Sequence, residues 1–223
     1  MREFIQASLK KTALIAGDGI LPVEIARRLT ERGDVPVVVT LRSDEDSFRG
    51  IADPLVRFRC PSLSRVLKEL RRHGVGNVIM AGRVSKKLIY VPALFDPLLL
   101  KLIAKSARDD HSLLASLVAA LEDEGFSVLP YGDILPEFLA PEGQLGHRPP
   151  TGDERRDFEY GMSILEATLP CSFGQAVVVA DRAVVAVEAM EGTDAMIGRA
   201  GALVRKGVLV KMMRVDQDSR YDL

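Results

Sequence analysis

Thr12-Ala13-Leu14-Ile15-Ala16-Gly17-Asp18-Gly19-Ile20-Leu21-Pro22 is the stretch that decides the fold. Its first five residues form a short run suited to a buried strand, and Gly17 to Gly19 read as a turn. Pro22 then starts a helix reaching Arg32, at the position where its missing N–H costs nothing, and Gly33 lies beyond the end. Strand, turn and helix in this order are the opening half of a βαβ unit.

The same grammar continues downstream. Val35 to Leu41 is a β-branched run; Leu63, Val66, Leu67 and Leu70 keep the i, i+3, i+4, i+7 spacing of an amphipathic helix stopped by Gly74; Asn77 to Ala81 supplies a third strand. A further helix runs from about Asp110, with Leu113, Leu114, Leu117 and Leu121 on one face, and Phe126 to Leu129 follows as a strand. The alternation predicts an α/β fold over residues 1–135, a Rossmann-like parallel sheet with helices on both faces. Pro136 to Pro150 is rich in Pro, Gly and charge, and Thr151 with Glu154 has the spacing of a capping box, so 136–160 reads as linker and helix. Ala176 to Ala180 and Ala183 to Val187 flank Asp181-Arg182 at hairpin spacing, then come a helix to about Val204 and a strand from Val208 to Met213. Residues 161–223 are therefore expected to form a smaller α+β domain.

With 223 residues, 47% of them hydrophobic, the chain can bury substantial cores. Its net charge is −1 and its basic residues are scattered, so it lacks the stripe that nucleic-acid binding requires. Cys60 and Cys171 lie far apart and Met1 to Lys11 has no signal-peptide core, which fits a reducing cytoplasm. The apolar stretch Leu88 to Ile103 contains Pro92, Asp96, Pro97 and Lys101 and is shorter than the ~20 residues of a membrane helix. It suits contact with a bilayer surface or an acyl chain.

Several segments carry chemistry. Gly17-Asp18-Gly19-Ile20 stands where a strand meets a helix start, which favours an anion, although a tight structural turn explains the glycines equally well. The third glycine of a dinucleotide fingerprint is replaced by Pro22, and Asp44 lies slightly too far on for a ribose reader, so a nicotinamide oxidoreductase is a weak reading. Gly82-Arg83 ends the third strand and should face the same crevice, Arg83 as a fork for phosphate or as an ordinary surface arginine. Asp109-Asp110 opens a helix, where one carboxylate caps and the other is open to a metal or water. The run Glu188-Ala189-Met190-Glu191-Gly192-Thr193-Asp194 gathers hard oxygen ligands suited to Mg²⁺, against the plainer reading that Thr193 or Asp194 caps the next helix. Lys211 alternates along the last strand and could neutralise phosphate; Asp222, read bare, is a frayed terminal residue.

These segments resemble the LpxI family, the UDP-2,3-diacylglucosamine pyrophosphatases. The similarity is carried by Leu14 to Pro22, Ala81-Gly82-Arg83-Val84-Ser85, Asp109-Asp110, Gly143-Gln144-Leu145-Gly146, Val187-Glu188-Ala189 with Glu191-Gly192-Thr193-Asp194-Ala195-Met196, and Arg220-Tyr221-Asp222-Leu223. The resemblance implies two domains closing over substrate and Mg²⁺-dependent hydrolysis to UMP and 2,3-diacylglucosamine 1-phosphate (lipid X), by attack on the phosphate bearing the sugar, a step of lipid A synthesis in Gram-negative cells. It implies Asp222 and Asp194 as catalytic, and Glu191, Asp194 and Asp222 as metal ligands. Gly17, Gly19, Ile20, Gly82, Arg83, Asp110, Gly192, Thr193 and Lys211 become substrate contacts. A cytoplasmic location, peripheral contact with the inner membrane and a homodimer accompany that reading.

Two departures qualify it. Asp18 replaces the middle glycine of the family's turn, setting a carboxylate beside the expected anion. Family members also continue past the Asp-Leu motif, so the second domain is expected to be incomplete at Leu223. The rival function is a protein that binds a nucleotide sugar or a phospholipid-like ligand without turning it over.

Overall fold

The computed structural model describes residues 10–41, 46–83, 95–105, 110–214, 218 and 220, with backbone alone for 105 and 110–112. The chain divides into two compact units, Met1–Ala140 with Asp218–Leu223, and Pro141–Gln217.

The first unit runs β1 (Lys11–Ala16), α1 (Leu21–Glu31), β2 (Val37–Thr40), β3 (Leu55–Arg57), α2 (Leu63–Arg72), β4 (Val75–Ala81), α3 (Pro97–Lys105), α4 (Asp110–Asp123) and β5 (Ser127–Leu129). Its strands form one parallel sheet in the order β3-β2-β1-β4-β5. Leu14 pairs with Val38 on one side and Ile79 on the other, and this row packs against Val23, Ala26 and Leu29 of α1. The adjacent row, Ala13 with Val37 and Val78, faces the opposite way, onto Leu67 and Leu70 of α2 and Val118 and Leu121 of α4. Both faces are covered, which is why these strands read as continuous apolar runs rather than alternating ones. Burying each such side chain contributes roughly 1.5–3 kcal/mol.

β3 and α3 are absent from the sequence-based expectation. Leu55-Val56-Arg57 is too short to show a period. Pro97-Leu98-Leu99-Leu100-Lys101-Leu102 is apolar nearly all round and shows no amphipathic stripe. α3 is started instead by Asp96, whose carboxylate accepts from Leu99 N–H at 2.9 Å and reaches across to the start of α2, accepting from Ser64 N–H at 2.8 Å and Ser62 Oγ–H at 3.0 Å.

The second unit holds α5 (Gly152–Thr168), β6 (Ala176–Ala180), β7 (Ala183–Val187), α6 (Thr193–Leu203) and β8 (Val208–Lys211). Its sheet is antiparallel, ordered β7-β6-β8. The capping box forms: Glu154 N–H donates to Thr151 Oγ at 3.3 Å and Thr151 N–H to Glu154 Oε2 at 2.7 Å. Leu165 of α5 packs with Val177, Val179 and Val210 on one face, and Met196 and Ala200 of α6 with Ala176, Val178 and Ala186 on the other. The hairpin turn is Asp181-Arg182, both at positive φ (51° and 58°). The architecture is thus the expected α/β sheet with a small α+β domain. Among the described residues no helix is long and apolar enough to cross a membrane.

Candidate functional site

In the first sheet the chain builds outward through β2 and β3, then crosses back to β4 and β5, so strand order reverses between β1 and β4. Ligands of open α/β sheets bind in the crevice at the carboxyl ends of such a pair. Gly17 to Ile20 leave β1 there, and Gly82-Arg83 leave β4. The two segments are hydrogen-bonded to each other: Gly17 N–H donates to Ala81 O at 2.8 Å, Asp18 N–H to Arg83 O at 2.7 Å, and Arg83 N–H to Asp18 O at 2.9 Å. A Cβ on Gly17 would stand 2.6 Å from the Arg83 carbonyl oxygen, and one on Gly82, at φ 90°, 2.7 Å from Pro22 Cγ. Glycine is therefore required because two stretches of backbone meet. The amides of Gly17, Asp18 and Arg83 are engaged by carbonyls of the two turns, as the structural reading of these glycines requires. Asp18, Gly19, Ile20, Gly82 and Arg83 are exposed at this edge. Asp110 opens α4 at the same edge, since only Glu124 to Phe126 separate the other end of α4 from the start of β5.

The second group collects at one end of the small sheet. Glu188 N–H donates to Ala176 O at 2.9 Å, while Lys211 pairs with Ala176 from the other side. Alternation along strands therefore sets Glu188 and Lys211 on the face that carries α6. The Glu188 carboxylate accepts from Gln175 N–H at 3.1 Å and from Thr193 Oγ–H at 2.9 Å. α6 starts on Gly192 at φ 84° with no side-chain cap. Thr193 thus turns its hydroxyl to Glu188 and not to a helix amide, which overturns the capping reading for that residue. Asp194 is exposed in the first turn of α6. Glu191 accepts from Arg199 Nη2 at 2.7 Å, and its own backbone N–H together with that guanidinium holds its carboxyl below the usual range. Glu188 enters the sequence reading only as one of three carboxylates, yet it is the hub of this cluster. Gln175 and Arg199 carry no motif that could have disclosed them. A hollow lined by Pro150, Glu154, Phe158 and Val208 opens toward the opposite end of this sheet and holds none of the candidates.

Asp222 and Asp109 lie outside the described residues, as does the side chain of Asp110. Arg220 of the same terminal motif donates through Nε to Asp218 Oδ1 at 2.9 Å and through Nη2 to Oδ2 at 2.6 Å, and also pairs with Glu122. Asp218, then Glu122, raise the guanidinium pKa further. Glu122 stands near the C-terminal end of α4, about 18 Å of helix from Asp110 at ~1.5 Å per residue, so Arg220 is not at the crevice edge. Among the described residues no three His, Cys, Asp or Glu side chains converge as a metal cluster. Mg²⁺ asks for less, since one or two carboxylates with substrate phosphate oxygens and waters suffice; Asp194 is a carboxylate of that kind, exposed in the first turn of α6, and Glu191 is paired with Arg199.

Comparison with known families places the LpxI N-terminal domain over residues 11–138 and the LpxI C-terminal domain over residues 141–223. The chain is also 32% identical over 183 residues to the UDP-2,3-diacylglucosamine pyrophosphatase LpxI of Caulobacter vibrioides, a match covering 79% of this chain and 64% of that relative's length.

Proposed function

The chain belongs to the LpxI family, and from that premise we propose that it hydrolyses the pyrophosphate of UDP-2,3-diacylglucosamine to UMP and 2,3-diacylglucosamine 1-phosphate, with Mg²⁺ as cofactor. Beyond the family match, the reading is carried by the acidic end of the second sheet. There the Thr193 hydroxyl goes to Glu188 and not to a helix amide, Asp194 stands exposed in the first turn of α6, and Lys211 shares the face. A capping threonine would spend that hydroxyl on a helix amide.

The reaction joins a water oxygen to phosphorus while the bridging P–O bond breaks, and the bridging oxygen leaves on one product. In this proposal the sugar-bearing phosphorus is attacked and UMP departs. Lys211 and Arg83 neutralise phosphate oxygens, and Gly192 and Thr193 position the anhydride. Asp222 orients the water and receives its proton. Gly17, Gly19, Ile20, Gly82 and Asp110 shape the nucleotide-side contact. Asp194, Glu191 and Asp222 are the carboxylates that would hold Mg²⁺, which when bound supplies Lewis-acid polarisation of phosphate oxygens. A diacylated substrate resides at a membrane, so the proposal includes a cytoplasmic chain making peripheral contact, for which Leu98 and Leu100 of α3 are exposed; a homodimer is consistent with this.

The test is UMP release from UDP-2,3-diacylglucosamine with and without Mg²⁺, beside Asp222→Ala, in ¹⁸O-labelled water. Metal-dependent release, lost in the variant, with label in the lipid phosphate, is the expected result. Binding without release would leave the non-catalytic reading standing, and label in UMP would move the attack to the other phosphorus.

A further inference from the structure

Where the glycine turn of an open α/β sheet holds a phosphate, it does so through backbone N–H groups that point at the ligand. In this crevice the amides of Gly17, Asp18 and Arg83 are taken by Ala81 O, Arg83 O and Asp18 O. Gly17 and Gly82 admit no Cβ because the two turns fill each other's space. The floor of the crevice is therefore two backbones bonded to each other, and the side chains of Asp18 and Arg83 project from it.

Asp18 and Arg83 form an isolated antiparallel bridge, exchanging both N–H···O bonds. Residues opposite each other in such a pair send their side chains to the same side, with Cβ atoms about 5 Å apart. Both residues are exposed. A carboxylate can only accept hydrogen bonds and a guanidinium can only donate them. The pair thus presents adjacent, opposite chemistries: a cation at Arg83, and an acceptor for O–H or N–H donors at Asp18.

We propose that Asp18 is a specificity-determining residue that holds the nucleoside half of a nucleotide ligand, accepting from ribose hydroxyls or a base N–H, while Arg83 takes the neighbouring phosphate. This rests on the reading that a uridine nucleotide is part of the substrate. A bare phosphate or pyrophosphate is disfavoured at Asp18 by like charge, and a nucleoside monophosphate satisfies both groups at once.

The test is titration calorimetry of UMP, 2′-deoxy-UMP, ribose 5-phosphate and inorganic pyrophosphate against the unmodified chain, Asp18→Asn and Asp18→Gly, with circular dichroism confirming the fold of each. Asp18→Gly should weaken UMP about tenfold, the scale of one hydrogen bond to a charged group, and leave pyrophosphate unchanged or tighter. Equal weakening of ribose 5-phosphate and UMP assigns the ribose as donor; weakening of UMP alone assigns the base; a smaller loss for 2′-deoxy-UMP fixes the 2′-hydroxyl. Each of these supports the proposal. Tighter binding of UMP and pyrophosphate alike, or no change in either, overturns it even if the chain hydrolyses the nucleotide sugar. Failure of the unmodified chain to bind any uridine nucleotide overturns the functional reading along with it.

Discussion

A Cβ on Gly82 would lie 2.8 Å from the carbonyl carbon of Gly17, so these two glycines hold the turns after β1 and β4 against each other. Gly82→Ala meets two costs at once: a positive φ of 90°, of order 1–3 kcal/mol, and overpacking of order 1–3 kcal/mol. Gly19, at φ 110°, has nothing within 4 Å, so Gly19→Ala meets only the backbone cost. Thermal unfolding should show Gly82→Ala melting well below Gly19→Ala, by several degrees at about 2–4 °C per kcal/mol. Equal melting temperatures would mean that the close approach is absorbed by a small shift of the loops.

The buried carboxylate of Asp157 accepts the amide hydrogens of Asp181 at 3.1 Å and Arg182 at 2.6 Å, bracing the β6–β7 turn from α5. Asp157→Ala leaves both amides without that partner and should cost about 3 kcal/mol in urea unfolding. Asp157→Asn keeps one acceptor oxygen and should cost less. Arg182→Gly should be neutral or stabilising by up to ~1 kcal/mol, because glycine carries no penalty at φ 58°. A turn indifferent to Asp157 but weakened by Arg182→Gly would reverse this account.

The features legible from sequence are those written locally. β1 and α1 announce themselves by an apolar run, a glycine turn and Pro22, and the β6–β7 hairpin by two β-branched runs two residues apart. Asp157, which braces that hairpin, lies 24 residues from the amide it accepts and gives no local sign. Gly17 and Gly82 are readable as turn glycines, but what each backbone approaches is a tertiary fact; the approach is to the other turn. Likewise the acidic run is visible as composition, while the partition of Glu188 to Thr193 and of Glu191 to Arg199 depends on how β7 enters α6. The candidacy of Asp222 came from the family resemblance and not from its chemistry, for a penultimate aspartate carries no pattern.

Asp96 ties the starts of α2 and α3 together. Burial pushes its carboxyl pKa up, but hydrogen bonds from Ser64, Leu99 and Ser62 outweigh this and leave it below the ordinary value. A depressed folded pKa means that the unfolded chain takes up the proton first as pH falls. The stabilisation is therefore fully present above the unfolded value of about 3.9 and is lost as pH drops through the lower folded value. Asp96→Asn should flatten the acid limb of the stability curve below pH ~4 while lowering stability at neutral pH, both read from urea midpoints across pH. An unchanged acid limb would show that other carboxylates dominate acid unfolding.

Glu188 offers the sharpest test of the second-unit cluster, because it reaches Thr193 through a bond whose role can be isolated. If the carboxylate acts by aiming the Thr193 hydroxyl, removing either partner should have the same consequence, and removing the second should add little. Glu188→Gln and Thr193→Val are each expected to lower kcat for UMP release by roughly tenfold, about 1.4 kcal/mol, with Thr193→Val leaving the fold intact since Glu188 still accepts from Gln175 N–H. The double variant should then lose much less than the product of the two, a coupling within the 0.5–3 kcal/mol seen for residues in direct contact. Multiplicative losses would mean that Glu188 and Thr193 serve the reaction independently, with Glu188 holding the Gln175 backbone at the mouth of the sheet and Thr193 working without its help.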